Sequence, residues 1–333
     1  MTMKPITPRK LMPGDTIRVV SPAQSLSMIV EDSIGYAINK LNEMGFNVSF
    51  SEHARESDMF VSSSIESRVD DLHDALVDDS VKAILTVIGG FNSNQLLRHI
   101  DYGLIEDNPK IFCGYSDITA LSNAIYAKTG LITYSGPHFS TFGMLKGLEY
   151  TVEYFRKCLC SEEPFEILPS KEWSDDAWYL NQDERVFIPN DGPKIIQEGE
   201  AEGTSIGGNL CTFQLLHGTE YMPPLKDTII FVEDDDLTGE LYPNCFDRDL
   251  QSLIHQPDFE GVKGIIIGRA QKKANMTAEK LKYIVETKEE LAHMPIISDV
   301  DFGHTTPQIT LPIGGRITMK ALDGETSIKI LKF

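Results

Sequence analysis

The 333-residue chain is short of basic residues and of long apolar runs, and each shortage excludes a class of protein. Its 30 Lys and Arg stand against 50 Asp and Glu, which gives a net charge of −20. Binding of a nucleic acid polymer or an anionic membrane surface needs clustered positive charge, so neither partner is expected. The longest apolar runs, such as 229–232 and 265–267, are far too short to span a bilayer.

Cysteine is also scarce, with five residues at irregular spacing. Cys158 and Cys160 form a C-x-C pair and lack the C-x-x-C spacing of redox or zinc sites. The N-terminal segment has no apolar stretch of the kind that signal peptides carry. We therefore expect a cytoplasmic protein with reduced thiols, and we expect no metal or other cofactor.

Strand and helix patterns alternate through the first half of the chain. β-Branched and apolar runs predict strands at 16–21, 47–51, 81–88, 110–113 and 131–134. Helical patterns predict helices at 27–44, 65–77 and 117–128, the last of them stopped at Gly130. Repeated βα units predict an α/β fold, a parallel sheet with helices on both faces.

The alternation stops after residue 160. Residues 161–200 are acidic, contain Pro, Trp and Asn, and show no period, which indicates a linker or a long functional loop. Order returns near residue 203, with strands predicted at 228–232, 264–268 and 295–298 and a closing hairpin at 316–331. We therefore expect an N-terminal domain at 1–160, a linker and substrate loop at 161–200, and a C-terminal domain at 201–333.

The turn Gly114-Tyr115-Ser116-Asp117 joins a predicted strand to a predicted helix. A serine on such a turn projects from the backbone, and the amides and dipole of the following helix can stabilise an oxyanion beside it. This geometry is that of a nucleophile elbow, with the side chain of Asp117 expected to cap the helix behind Ser116. An ordinary strand–helix junction is the alternative.

Paired glycines, Gly89 and Gly90, follow the strand predicted at 81–88. Loops at the carboxyl ends of parallel strands carry the ligand site in such sheets, and glycine lets the backbone approach a ligand closely. The amides of Gly90 and Phe91, together with that of Asp117, are the expected oxyanion donors. A phosphate loop is disfavoured because the G-x-x-x-x-G-K-[ST] pattern is missing.

An acidic run at 233–236 follows the strand predicted at 228–232. Glu233 is the first residue beyond the apolar run, so its carboxylate should emerge at the sheet edge. Asp234 to Asp236 are expected to form a solvated surface turn, since the glycine and spacing of a calcium loop are missing. Further along, His304 lies in a polar loop after the strand predicted at 295–298.

Ser116, Glu233 and His304 follow one another in the order nucleophile, acid, base, as in α/β-hydrolases. Serine is a poor nucleophile until a base takes its proton, and a histidine can do so near neutral pH. Glu233 would fix the tautomer of the imidazole and stabilise the imidazolium. The three residues together predict a serine hydrolase.

The two tryptophans of the chain, Trp173 and Trp178, both lie in the irregular segment. Two indoles in one loop can offer a flat surface on which a ligand ring stacks. They can equally pin the loop to the core, and the sequence does not decide between these roles.

The motifs together resemble the LD-carboxypeptidase family of serine peptidases. The resemblance covers nearly the whole chain, in the family's order, and rests on segments 11–22, 89–93, 114–117, 207–210, 231–234 and 301–304. It implies a Ser-Glu-His triad at Ser116, Glu233 and His304. It also implies a flavodoxin-like N-terminal domain, a β-rich C-terminal domain and a homodimer.

The family has two branches with different substrates. One removes the terminal D-alanine from murein tetrapeptides, and the other resembles the microcin C immunity peptidase, which cleaves the amide bond between an aminoacyl group and a nucleotide. The second branch carries a loop whose tryptophan stacks on the nucleobase, and residues 170–182 resemble that loop. We therefore favour an aminoacyl-nucleotide substrate over a small murein peptide.

Three residues are candidates for substrate contact under this resemblance. Trp178 is the first choice for stacking, Trp173 is the alternative, and Asn209 lies in the motif Gly207-Gly208-Asn209-Leu210. A non-catalytic small-molecule binding module on the same scaffold is the alternative from another class of protein.

Overall fold

The first half of the chain builds a mostly parallel sheet. The computed structural model describes residues 4–333. Five strands come from this half: β1 Thr16–Val20, β2 Asn47–Phe50, β3 Val81–Thr86, β4 Ile111–Gly114 and β5 Thr133–Ser135. They lie in the order β2-β1-β3-β4-β5, which is the flavodoxin-like order. The α/β class and the parallel N-terminal sheet are thus confirmed.

Helices connect these strands at the positions that the sequence pattern indicates. They are α1 Glu31–Glu43, α2 Ile65–Val77, α3 Tyr102–Asp107, α4 Thr119–Thr129 and α5 Glu149–Leu159. The Ser64 side chain caps α2 by accepting from the Ser67 amide, and Gly130 ends α4 with a left-handed φ of 76°. The helix predicted from residue 27 begins only at Glu31, after a short 3-10 turn at Leu26–Met28.

The second half builds an eight-stranded sheet. Its helices are α6 Leu210–Phe213, α7 Tyr242–Ile254 and α8 Ala278–Glu286. The remaining strands of the chain are β6 Phe165–Glu166, β7 Glu172–Trp173, β8 Ile188–Pro189, β9 Lys194–Gln197, β10 Gly199–Asn209, β11 Thr228–Glu233, β12 Val262–Gly268, β13 Ile296–Val300, β14 Leu311–Ile313, β15 Arg316–Leu322 and β16 Glu325–Lys332. The order in the sheet is β6-β16-β15-β10-β11-β12-β13-β9.

Three strands depart from the predicted division of the chain. β14 leaves the second half and adds antiparallel to β5 at the edge of the first sheet. The segment predicted as a linker, 161–200, contains β6 and β9, which both pair with the second sheet. The boundaries at 160 and 200 stay a prediction.

A buried asparagine on α4 links the first half of the chain to a strand of the second sheet. Asn123 on α4 donates to the Gly207 carbonyl over 2.8 Å and accepts from the Gly207 amide over 3.2 Å. Close by, the Asn209 amide donates to the Thr119 hydroxyl over 3.0 Å. Because α4 follows β4 and Gly207 lies near the end of β10, these bonds bring the carboxyl ends of the two sheets together.

No helix in residues 4–333 is both long enough and apolar enough to cross a membrane. The five cysteines are all free thiols.

Candidate active site

Ser116 lies on a strained turn directly after β4. Its φ is 59°, a left-handed value that is uncommon for a residue other than glycine. Gly89 makes room for the turn, because a Cβ on Gly89 would lie 2.9 Å from the Ser116 Cβ and 3.0 Å from its Oγ. The strand, turn and helix predicted around Ser116 are all present, with the 3-10 turn Ser116–Ile118 preceding α4.

Glu233 is the last residue of β11 and its side chain is buried. Glycines surround it on two sides. A Cβ on Gly268 would lie 2.8 Å from the Glu233 Cβ, and one on Gly303 would lie 2.6 Å from its Cγ. Any larger residue at these positions would displace the carboxylate.

His304 lies between these two residues and contacts both. Its Nδ1 is 2.6 Å from Oε2 of Glu233, and its Nε2 is 3.1 Å from Oγ of Ser116. His304 belongs to the segment 301–309, here called the histidine loop. The two ends of this loop are joined by a hydrogen bond from the Ile309 amide to the Asp301 carbonyl. The structure therefore brings the three residues together in the geometry of a nucleophile, a base and an orienting acid.

Carboxylates dominate the electrostatics of this centre. Burial lowers the pKa of His304, but the Glu233 carboxylate, with Asp235 and Asp234 beyond it, raises that pKa overall to about 9. Burial and the Glu233 carboxylate raise the pKa of Asp234 to about 7. The surrounding carboxylates thus stabilise the imidazolium form of His304.

An aromatic stack supports the far side of His304. The Tyr115 ring lies 5.3 Å from the His304 ring and 4.3 Å from the His138 ring. His138 is buried, its Nδ1 is 2.8 Å from the Thr86 hydroxyl, and burial together with the charge of His304 lowers its pKa to about 3. A permanently neutral His138 adds packing without adding a second positive charge.

The acidic run after β11 differs from the predicted surface turn. Asp234 is buried, and its Oδ1 accepts from Asn209 Nδ2 over 3.1 Å. Asp235 and Asp236 are half-buried and the segment becomes exposed at Leu237, where the Asp235 side chain caps the turn by accepting from the Leu237 amide. The prediction for Asp234 was wrong because the local sequence does not reveal Asn209, whose side-chain amide donates to the Asp234 carboxylate and compensates for its burial. Within residues 4–333, no cluster of His, Cys, Asp and Glu has a geometry that could hold a metal ion.

Asn209 lies beside Glu233, and its side chain bonds to protein groups. Its Nδ2 is 3.3 Å from Oε1 of Glu233, and its Oδ1 accepts from the amide and the hydroxyl of Thr212. The side chain is buried and all its polar atoms are used within the protein. This geometry fits an orienting role for Asn209 better than the predicted substrate contact.

Two of the predicted oxyanion donors, Gly90 and Phe91, follow Gly89, which packs against Ser116. Gly90 has a φ of 154°, and the amides of Gly90 and Phe91 donate to no turn or loop carbonyl in residues 4–333. The expectation for the Asp117 side chain was wrong, because its carboxylate accepts from the Ser93 amide over 2.9 Å and so caps the neighbouring turn Ser93–Leu96. Asp117 thereby ties the Gly90 loop to the Ser116 turn.

Residues 170–190, here called the tryptophan loop, cover the same edge of the sheets. Their base is the β7–β8 pair, and the tip is held by Arg185, which donates to Asp176 over 2.8 Å. The Trp173 ring packs under two cations, with Arg269 at 4.9 Å and Lys272 at 5.2 Å from its centroid. Trp178 is partly buried and meets Tyr179 edge to face. Trp173 is thus already engaged, which leaves Trp178 as the better stacking candidate.

Several buried residues around the centre were not predicted as functional from the sequence. Asn123, His138, Arg269 and Asp301 are buried polar residues whose partners are far away in the sequence. For Asp301 alone a signal existed, because it opens the motif that contains His304.

Two family models match the chain over most of its length. The model of the LD-carboxypeptidase N-terminal domain matches residues 17–136, and that of the LD-carboxypeptidase C-terminal domain matches residues 202–319. Both ranges contain residues of the centre described above.

Individual relatives agree with the family models. YocD of Bacillus subtilis, named for a carboxypeptidase activity, is 57% identical over 97% of this chain and 98% of its own length. The microcin C7 self-immunity protein MccF of Escherichia coli is 31% identical over 95% of this chain and 93% of its own. A Bacillus subtilis protein named as a probable murein peptide carboxypeptidase is 30% identical, with 95% and 92% covered.

Solved structures extend the similarity to three dimensions. A MccF-like protein of Bacillus anthracis superposes with a TM-score of 0.98 at 57% identity, covering 98% of this chain and all of its own. MccF in complex with glutamyl sulfamoyl guanosine superposes with a TM-score of 0.87 at 28% identity, and 99% of each chain is covered.

Proposed function

Because the chain belongs to the LD-carboxypeptidase family, it is a peptidase hydrolase, and we propose that it acts through a serine nucleophile. The observation that carries this proposal is the hydrogen-bonded chain from Ser116 through His304 to Glu233, with distances of 3.1 and 2.6 Å. A metal-dependent route is not part of the proposal, because within the acidic run Glu233 contacts His304, Asp234 accepts from Asn209 and Asp235 caps a turn.

The proposed reaction has two halves. In the first, Oγ of Ser116 attacks the scissile carbonyl while Nε2 of His304 takes its proton, and that proton then passes to the departing amine. In the second, water attacks the acyl-enzyme with His304 again as base, and Ser116 is released. Glu233 stabilises the imidazolium of each half, and the amides of Gly90 and Asp117 stabilise the oxyanion.

We propose an aminoacyl-nucleotide analogue as the substrate class. The support is the tryptophan loop at the edge of the centre, together with the likeness to MccF, which has been solved with glutamyl sulfamoyl guanosine bound. The partly buried indole of Trp178 is the proposed stacking surface for the base. Aromatic rings stack on such a surface with little demand on the identity of the base.

A murein tetrapeptide is the second candidate substrate. Its support is the relative named for murein peptide carboxypeptidase activity, which is nearly as similar to this chain as MccF is. The two candidates are separated by comparing Trp178→Ala with Trp173→Ala. A loss confined to the nucleotide substrate and to Trp178→Ala supports the first, and equal effects on both substrates favour the second.

The nucleophile is tested by Ser116→Ala with Ser57→Ala, an exposed serine, as the matched control. Turnover of an aminoacyl sulfamoyl adenosine is expected to fall about 10⁶-fold in Ser116→Ala only, with the thermal midpoint preserved. Turnover within tenfold of the wild type would refute the serine mechanism. It would leave the non-catalytic binding module as the remaining explanation if the ligand still bound.

A homodimer and a cytoplasmic location remain proposals from the family resemblance. Sedimentation of the purified chain tests the first, and fractionation of cells tests the second.

A further inference from the structure

The histidine loop is fastened to the tryptophan loop just before His304. The buried Asp301 carboxylate accepts from the Ser170 amide over 2.8 Å and from the Asn190 side chain over 3.1 Å. Ser170 and Asn190 are the two ends of the tryptophan loop. Asp301 therefore holds both ends of that loop from a position three residues before His304.

Arg269 completes this contact from the second sheet. It follows β12 directly, and its Nη2 donates to Asn190 over 2.6 Å, to the Asp299 carbonyl over 2.9 Å and to Asp301 over 3.2 Å. Its guanidinium also packs on Trp173. The Arg269 side chain is 7% exposed and the Asp301 side chain is 2% exposed, so this buried ion pair forms a rigid anchor.

A second fastening lies just after His304. The Ser174 amide donates to the Thr306 carbonyl over 2.7 Å, and the Thr306 amide donates back over 2.8 Å. Both fastenings fall within three residues of His304, one on each side. The position of the imidazole is thus set by the tryptophan loop as much as by its own sheet.

We propose that Asn190 and Asp301, held by Arg269, are positioning residues that couple the placement of the tryptophan loop to the alignment of His304 with Ser116. The proposal rests on the proposed function and deepens it. A ligand that contacts the tryptophan loop and fixes its position then raises the rate of the chemical step as well as the affinity. A substrate without a group for the tryptophan loop binds the same centre but reacts more slowly.

Asn190→Ala is the cleanest perturbation of this contact. It removes the side-chain link from Asn190 to Asp301 and Arg269, and it leaves the Arg269–Asp301 ion pair and the backbone bonds of Ser170 and Ser174 in place. Loss of Asp301 would instead bury an unpaired guanidinium and endanger folding. Asn181→Ala is the matched control, because Asn181 is exposed in the same loop and bonds only within it. Thermal midpoints of both variants show whether they fold.

The first experiment is a double-mutant cycle of Asn190→Ala and Trp178→Ala on an aminoacyl sulfamoyl adenosine. Asn190→Ala is expected to lower kcat about 10- to 100-fold with a smaller change in KM, since a small displacement of a catalytic group costs this much. The double variant is expected to lose less than the product of the two single losses. Losses that multiply, or a change in KM alone, would overturn the coupling.

The second experiment needs no turnover, because the only tryptophans of the chain report on this loop. In a Trp178→Phe background, Trp173 is the sole indole, and acrylamide should quench it more strongly after Asn190→Ala than after Asn181→Ala. Equal quenching would overturn the proposal. If the wild type hydrolyses neither candidate substrate, the proposed function fails and this measurement alone decides the role of Asn190.

Discussion

Substitution of Glu233 by glutamine tests the centre most sharply, because the structure dictates how the new amide must face. Asn209 Nδ2 donates to Oε1 of Glu233, so in Glu233→Gln the amide oxygen is expected to keep that position. The amide nitrogen then faces Nδ1 of His304. Nδ1 must accept, the imidazole proton moves to Nε2, and Nε2 can no longer take the proton of Ser116.

The size of the loss follows from two contributions. The pKa of His304 lies near 9 and not at its ordinary 6.5, and this difference corresponds to about 3 kcal/mol of imidazolium stabilisation, or a factor of a few hundred in rate. The wrong tautomer lowers the rate as well, and the equivalent change in a Ser-His-Asp triad, which combines both contributions, costs about 10⁴-fold. We therefore expect kcat/KM of Glu233→Gln to fall by between about 10² and 10⁴.

The assay is kcat/KM measured against pH, with the exposed Glu240→Gln as the matched control. Since His304 must be neutral to accept a proton, wild-type activity should rise with pH up to about 9, a range more alkaline than an ordinary histidine predicts. The control should share this profile, and Glu233→Gln should lose the alkaline limb. A variant that keeps a tenth of the activity with an unchanged profile would refute the role of Glu233.

Three further predictions concern packing and stability. Gly303→Ala should abolish most activity because the new Cβ would press on the Glu233 side chain. Gly324→Ala, at a positive φ of 79° with open space around it, should keep activity and lower the free energy of unfolding by only about 1 kcal/mol. Activity and stability measured for both variants separate the effect of a side-chain clash from that of backbone strain. The pKa of His304 in the folded protein exceeds its ordinary value of 6.5, so protonated His304 contributes about 3 kcal/mol to the free energy of unfolding below pH 6.5, and this contribution is lost as the pH rises through about 9. Urea unfolding below pH 6.5 and above pH 9 should show this loss in the wild type and not in Glu233→Gln. Asn123→Ala should lower the free energy of unfolding by about 2 kcal/mol or more, since it leaves the two buried polar groups of Gly207 without partners; a loss no larger than that of the peripheral Asn108→Ala would contradict this.

The sequence was sufficient for the parallel α/β sheet of the first half and for the three candidate residues of the centre, and the family resemblance implied the flavodoxin-like order. Strand and helix periods repeat clearly through the first half, and Ser116, Glu233 and His304 each follow a strand. Parallel strands place their carboxyl ends at one edge, so neighbouring polar residues at those ends meet.

The supporting contacts could not be predicted in this way. Asp301 bonds to Ser170 and Asn190, which lie more than 100 positions away in the sequence. The burial of Asp234 depends on Asn209 from another strand. The Asp117 side chain was expected to serve its own helix, yet it caps a turn from a different βα unit. Such pairings depend on how separate elements pack, and local patterns carry no information about packing.

The path of the chain between β13 and β14 has a consequence for how the protein acquires activity. The polypeptide leaves the second sheet at Val300, places His304 at the centre, and enters the first sheet at Leu311. His304 contacts Glu233 and Ser116 across 71 and 188 positions, so both sheets must already be formed and docked before these contacts exist. Contacts of such separation form late in folding. We therefore expect hydrolytic activity to arise only after both sheets have formed and docked, so that activity would mark the completed fold.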